Sequence, residues 1–193
     1  TDLMKKCILI LLLSVFISSD NELIVPFDSK SEISYFGSHP AHDWTGVTSD
    51  FKGGIVCNNL NDCTIKVQIP IDSFDSGNSS RDSNMLYYVE ANKFRYVTFF
   101  SNSFSINDET LAIGTSIQIE GVIDFHGIKR KTSMNVLISP QDEFLNGIAD
   151  FEIRLNDHNV ERPSLLFIPI SNIIKIKCNL YCQLSKFKDF VQE

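Results

Sequence analysis

Apolar and polar residues alternate through much of the second half of this chain, and that period of two fixes the kind of fold it can adopt. Ala149, Phe151, Ile153 and Leu155 are apolar, with Asp150, Glu152 and Arg154 between them. Ile117, Ile119, Gly121, Ile123 and Phe125 share one face, against Ser116, Gln118, Glu120 and Asp124 on the other. Thr132, Met134, Val136 and Ile138 make a third such face, and Ile174, Ile176, Cys178 and Leu180 a fourth. Successive side chains of a strand point to opposite sides of its sheet, so these segments are half-buried antiparallel strands with one wet face.

Earlier strands are expected around Glu32 to Gly37, Trp44 to Asp50, Gly54 to Cys57 and Thr64 to Ile71. His126-Gly127 is a two-residue turn joining two strands into a hairpin, and Gly53-Gly54 suits a sharp bend or bulge. One internal segment reads as a helix, near 80–92. Ser79 or Ser80 caps it, Asp82 sits in its first turn, and Met85, Leu86, Val89 and Phe94 space out an apolar side. A short helical turn fits near Val160 to Leu165, limited by Pro163. The strands number about eight, and an antiparallel meander of eight tends to close and so lose its edges. The predicted fold is all-β: a single closed eight-stranded antiparallel barrel with that one short helix.

The N-terminus reads as an address label. Met4-Lys5-Lys6 is a short cationic start, Cys7 to Ile17 is a predominantly apolar run, and Ser18-Ser19 offers small residues for cleavage. That is the layout of a secretory signal peptide over residues 1–19, with Thr1-Asp2-Leu3 as an upstream remnant. The run is far short of the roughly 20 apolar residues of a membrane-spanning helix, so no stable membrane insertion is expected. The barrel domain then occupies residues 20–193, and the protein is expected to be periplasmic or secreted. Losing Lys5, Lys6 and Asp2 leaves 15 basic and 23 acidic residues, a net charge of −8. An acidic chain without a basic patch has no nucleic-acid footprint, and it is disfavoured on anionic lipid surfaces. Four cysteines remain: Cys57, Cys63, Cys178 and Cys182. An even count in an exported chain points to disulfides. Cys57 and Cys63 flank a turn-like insert and can bridge across a hairpin. Cys178 and Cys182 would lie about 13 Å apart along a continuous strand, beyond the roughly 7 Å reach of a disulfide.

The stretch Ser73 to Ser101 joins a turn rich in Ser, Gly and Asn to an Arg-Asp pair, an amphipathic segment and a Phe-rich strand. Together with Ser34-Tyr35-Phe36, His39, Gly46, Gly53-Gly54-Ile55, Lys93-Phe94, Val97-Thr98-Phe99 and Gly121 through His126-Gly127, it resembles the YceI-like family. The resemblance spans Ser31 to Lys177, and the run Ser73 to Asp82 is its most specific part. Arg95, Phe100, the segment Glu161 to Leu166 and the four cysteines depart from the family pattern and indicate a divergent branch. The resemblance implies an exported, lipocalin-like barrel that binds a polyisoprenoid chain, with no catalytic step.

An isoprenoid is apolar, and a barrel lined by Phe, Ile and Val can enclose it while gaining about 0.8 kcal/mol per buried CH₂. The inward faces nominate Phe36, Val97, Phe99, Ile119, Ile123, Phe125, Phe151 and Ile153 as lining; the same residues would serve equally to fill a dry core. Arg81 can hold the loop over the barrel mouth or meet a ligand head group, and His39 can hydrogen-bond a quinone-like head. His39, His42 and His126 form the rival reading, a metal site, if their imidazoles converge. A third reading is a ligand-free structural barrel. Enzyme motifs are missing: there is no GxSxG elbow, no Gly-rich phosphate loop and no recognisable Cys-His pair. The expected partner is therefore an apolar isoprenoid lipid and the expected cofactor none. The residues leave the oligomeric state open, a dimer included.

Overall fold

The computed structural model describes residues 22–191, so the expected signal peptide and its junction with the domain lie outside the described residues. Ten strands form one antiparallel sheet. They are β1 (Leu23–Pro26), β2 (Glu32–His39), β3 (His42–Thr48), β4 (Lys52–Asn59), β5 (Asp62–Pro70), β6 (Tyr96–Ser101), β7 (Thr115–Phe125), β8 (Ile128–Gln141), β9 (Phe144–Arg154) and β12 (Ile173–Gln183). Their spatial order is β1-β4-β5-β6-β7-β8-β9-β12-β2-β3. A separate small hairpin pairs β10 (Ser164–Leu165) with β11 (Ile168–Pro169).

The expected closed eight-stranded barrel is thus corrected to a curled ten-stranded sheet with β1 and β3 as its edges. No ladder joins those edges among the described residues. The chain instead changes neighbours at a bend: β1 pairs with β4, and β2 pairs with β12. Between them Phe27 bridges to Cys182, and Asp28 N–H donates to Tyr181 O at 2.7 Å. The other edge is tied by Val47 and Asp75, whose backbones exchange two 2.9 Å hydrogen bonds. Isolated bridges of this kind cover edge groups that would otherwise template pairing with another chain.

Turn chemistry sets the hairpins. His126 (φ 53°) and Gly127 (φ 72°) take the left-handed values of a two-residue turn between Phe125 and Ile128, as their sequence predicts. The Gly53-Gly54 pair, however, makes no bulge. β4 keeps its register there, and the irregularity falls between Cys57 and Asn59. Both glycines are needed for a different reason: a Cβ on Gly53 would strike the β5 backbone and one on Gly54 the β1 backbone.

Three helices pack on the ends of the curl. α1 (Ser79–Tyr88) is the predicted helix, but Asn78 caps it rather than Ser79 or Ser80, accepting from Arg81 N–H at 3.1 Å. α2 (Asp108–Ala112) and α3 (Leu184–Val191) were not legible as helices. The helical turn expected near Val160 forms earlier, as a 3₁₀ turn over Leu155–His158. One end of the sheet's interior is plugged by Ile106, Leu111, Leu184 and Phe187, all buried against Ile119, Val136, Ile138 and Leu145. α1 and the β10–β11 hairpin stand by the remaining opening. Among the described residues no helix is long and apolar enough to cross a membrane.

Cys57 and Cys63 form a disulfide across the β4–β5 hairpin, while Cys178 and Cys182 are free thiols on the uninterrupted β12. Closing so short a loop stabilises by about 2 kcal/mol on the chain-entropy account. Urea denaturation of C57A/C63A is therefore expected to show a loss of about that size, matched by the wild type under reductant.

Candidate functional site

Inward-facing side chains of the curl do not meet in the middle. Val97, Phe99, Phe151, Ile153 and Ile176 point inward and yet are only half-buried. They border a cavity of about 590 Å³. Its walls are almost wholly apolar. β6 contributes Val97 and Phe99; β7 contributes Ile119, Ile123 and Phe125; β9 contributes Phe151 and Ile153, all as the alternation predicts.

Phe36 is the exception among the predicted lining residues. It lies on the outer face of β2, 39% exposed, and takes no part in the cavity. The reason is the register against β3. Tyr35 faces Gly46 and Gly37 faces Trp44. A Cβ on Gly46 would collide with the Tyr35 ring, and one on Gly37 with the Trp44 indole. Each ring therefore lies across the glycine opposite it, and Ile33, Tyr35 and His39 form the inner face of the strand. Tyr35 and Trp44, not Phe36, are the aromatic lining from this part of the chain.

Polar groups gather only at the opening, where His42, Asn78, Ser80, Arg81, Asn84 and Glu161 border the cavity. Arg81 is positioned by α1, and its guanidinium donates to Ser76 O at 3.4 Å. Asp82 accepts from Ser76 N–H at 3.2 Å, so the Arg-Asp pair fastens the turn before the helix. Tyr35 carries a hydroxyl buried without a hydrogen-bond partner among the described residues. Burial raises its pKa, the Asp82 charge adds to the rise, and Arg81 opposes it.

The three histidines do not converge. His39 is engaged at both ring nitrogens: Nδ1 accepts from Ala41 N–H at 3.1 Å, which leaves Nε2 to donate to Ile168 O at 3.1 Å. Its nitrogens are thus spoken for by backbone, and none is free for a ligand head group. His42 stacks obliquely near Trp44, ring centroids 5.5 Å apart. His126 lies elsewhere, against Phe94, with Nδ1 2.8 Å from His158 O and Nε2 2.8 Å from a Glu90 carboxylate oxygen. No group of three or more His, Cys, Asp or Glu able to hold a metal occurs among the described residues. The metal-site reading of His39, His42 and His126 is accordingly set aside.

Several lining residues went unread in the sequence. Met85 and Tyr88 project from α1, Leu165 and Ile170 from the small hairpin, and Ile176, Cys178 and Leu180 from β12. The β12 residues did carry a signal: their alternation put Ile176, Cys178 and Leu180 on one apolar face with Ile174, and that face is the one that lines the hollow.

A curled antiparallel sheet wrapped round an apolar hollow, plugged at one end and polar at the rim, makes this a hollow β-sheet protein. A YceI-like domain model matches residues 26–182, and the chain belongs to that family. No curated protein matches it in sequence. Among solved structures it is similar to BcnA of Burkholderia cenocepacia, at 16% identity and a TM-score of 0.68, over 80% of this chain and 98% of that one. It is similar also to a polyisoprenoid binding domain from Saccharophagus degradans implicated in plant cell wall breakdown, at 16% identity and a TM-score of 0.69, over 83% and 98%. A YceI protein of Campylobacter jejuni matches at 15% identity and a TM-score of 0.58, over 72% and 83%. At these identities the likeness establishes a shared fold.

The two thiols in the cavity wall give a pH signature. Burial pushes Cys178 from the ordinary value of 9.0 up to about 12, with the Asp150 charge adding to it. Burial does the same to Cys182, again to about 12, helped by Asp28. Well below pH 9 both thiols are almost wholly neutral in the folded and unfolded chain alike. Between about 9 and about 12 only the unfolded chain ionises them, so the folded state binds more protons and stability falls as pH rises. Iodoacetamide at pH 8 is expected to leave both unmodified in the folded protein and to alkylate both in urea, read by intact mass. A melting temperature that falls across the alkaline window completes the signature.

Proposed function

We propose that this protein is an exported carrier that encloses a single isoprenoid lipid in its curled sheet and performs no chemistry on it. The observation that carries this reading is the apolar cavity of about 590 Å³. Its volume lies inside the range of roughly 300–1,000 Å³ typical of small-molecule sites. Lining side chains that keep accessible surface are waiting for a partner, because an unfilled apolar wall forfeits its dispersion contacts. A branched hydrocarbon supplies them, at about 4 kcal/mol gross for each five-carbon unit buried. Ordering and lost rigid-body freedom oppose that gain by about 4–15 kcal/mol, so chain length governs affinity.

The tail would run toward the Phe187 plug and the polar end would stay near Arg81, Asn84 and His42 at the rim. The polyisoprenoid binding described for the Saccharophagus domain supports the choice of ligand class. Export is supported by the Cys57–Cys63 disulfide, which persists only in an oxidising compartment, and by the cationic and apolar start of the chain.

Gly147 offers a clean test. It lines the cavity, and a Cβ there meets only Val136 Cγ1 at 3.6 Å and Leu180 O at 4.0 Å, ordinary contact distances. Gly147→Leu should therefore fold and fill the hollow, raising the stability of the empty protein by about 1.5–3 kcal/mol from the newly buried side chain. Organic extraction and mass spectrometry should recover an isoprenoid from the wild type and far less from the variant. Recovery of no apolar molecule from protein purified out of its native envelope would end the proposal.

A further inference from the structure

The β10–β11 hairpin breaks two rules of protein surfaces at once. Its two-residue loop, Leu166-Phe167, has both residues at positive φ, 51° and 67°. That geometry belongs to turns built from Asn-Gly, and large side chains adopt it only at an energetic cost. The same two residues are also the most solvent-exposed large apolar groups of the chain's described part, Phe167 at 101% and Leu166 at 79%. Leu165 and Ile168 beside them are each 47% exposed. Local strain is being spent to hold hydrophobic side chains out in water.

The tip is not a loose end. His39 Nε2 donates to Ile168 O at 3.1 Å, Arg162 donates to Ile170 O at 3.0 Å, and Ile170 N–H donates to Pro163 O at 3.0 Å. Ser171 N–H is bound to Ser38 O at 2.8 Å. The His39 and Ser38 bonds fasten the base of the hairpin to the end of β2, and the other two close the base on itself. The hairpin is also continuous with the cavity, since Pro163, Ser164, Leu165 and Ile170 border the opening.

We infer that this hairpin is a membrane-contact tip, which seats the mouth of the cavity on a lipid surface. Two considerations choose a bilayer over a protein partner. A stable protein interface takes about 20–30 residues a side, and the exposed apolar run here is Leu165–Ile168. The apolar surface also leads directly into a cavity suited to hydrocarbon, so whatever the tip enters is drained by that cavity. The net charge of −7 means that anionic head groups supply no attraction. Docking is by insertion of Leu166 and Phe167, and is insensitive to salt. The purpose of the tip rests on the lipid-carrier reading; the docking does not.

The test is cosedimentation of the full chain with phosphatidylcholine vesicles, at low and high salt, for wild type and L166N/F167G. The variant carries the residues this turn prefers and touches no cavity-lining position. Wild type is expected to sediment with vesicles at both salt levels. The variant should melt no lower than wild type and lose at least tenfold in vesicle partition. Equal partition of the two proteins, no binding by wild type, or binding abolished by salt would each overturn the inference. So would a wild-type dimer that the substitution converts to monomer, because the tip would then belong to a second copy. Farnesol binding, followed through Trp44 fluorescence, is expected to be the same in both proteins. Its absence from both, with the vesicle difference intact, would sink the carrier reading and leave the docking standing.

Discussion

The rest of the structure depends on one constraint: the perimeter of the curled sheet is longer than its inward side chains can fill. About eight strands give an interior that side chains just occupy, or that holds one small ligand. Here ten strands share the sheet, and residues as large as Phe99 and Phe151 still leave space between them. Hollowness is thus a matter of how the sheet curls before it is a matter of residue choice. Packing is dense where helices intrude at one end, around the fully buried Phe187 and Ile106. The interior is therefore graded from a solid floor to an open, polar-rimmed mouth.

What the sequence conveyed was the orientation of side chains, and what it withheld was closure. The alternating runs of β7, β8, β9 and β12 state their inner faces plainly, and His126-Gly127 states its turn. Phe36 misled because Tyr35 and Phe36 are apolar neighbours, either of which can face inward. The decision is made across the ladder, by Gly46 lying opposite Tyr35, and that pairing is not visible along the chain. The small hairpin escaped notice for a related reason: Leu166-Phe167 offers none of the Gly or Asn that announces a tight turn. Strand number failed because β1, only the four residues Leu23–Pro26, went unread ahead of a bend at Phe27 and Asp28 that hands the chain from β4 to β12.

The histidines show how a suggestive cluster dissolves into backbone chemistry. His39, His126 and His158 each spend ring nitrogens on main-chain groups at turns and strand ends. A buried carbonyl without a partner costs more than a typical hydrogen bond returns, so such positions favour a side chain with a donor on a rigid ring. The polar residues that remain free to meet a ligand are fewer, and they sit on α1 and at the rim.

The ladders around the hollow are of unequal length. β7 is zipped to β8 from Thr115 to Phe125, and β9 to β12 from Arg154 to Phe144. β6 is held only from Lys66↔Phe100 to Pro70↔Tyr96 on one side, and from Thr98↔Asp124 to Ser101↔Gly121 on the other. A short slat between stiff neighbours is the compliant part of such a wall, since local opening follows the number of bonds that must break together. Val97 and Phe99 ride on that slat. The container thus has an elastic side, and a bulkier occupant would be accommodated by β6 bowing outward while the β7–β9 and β12 panel keeps its shape.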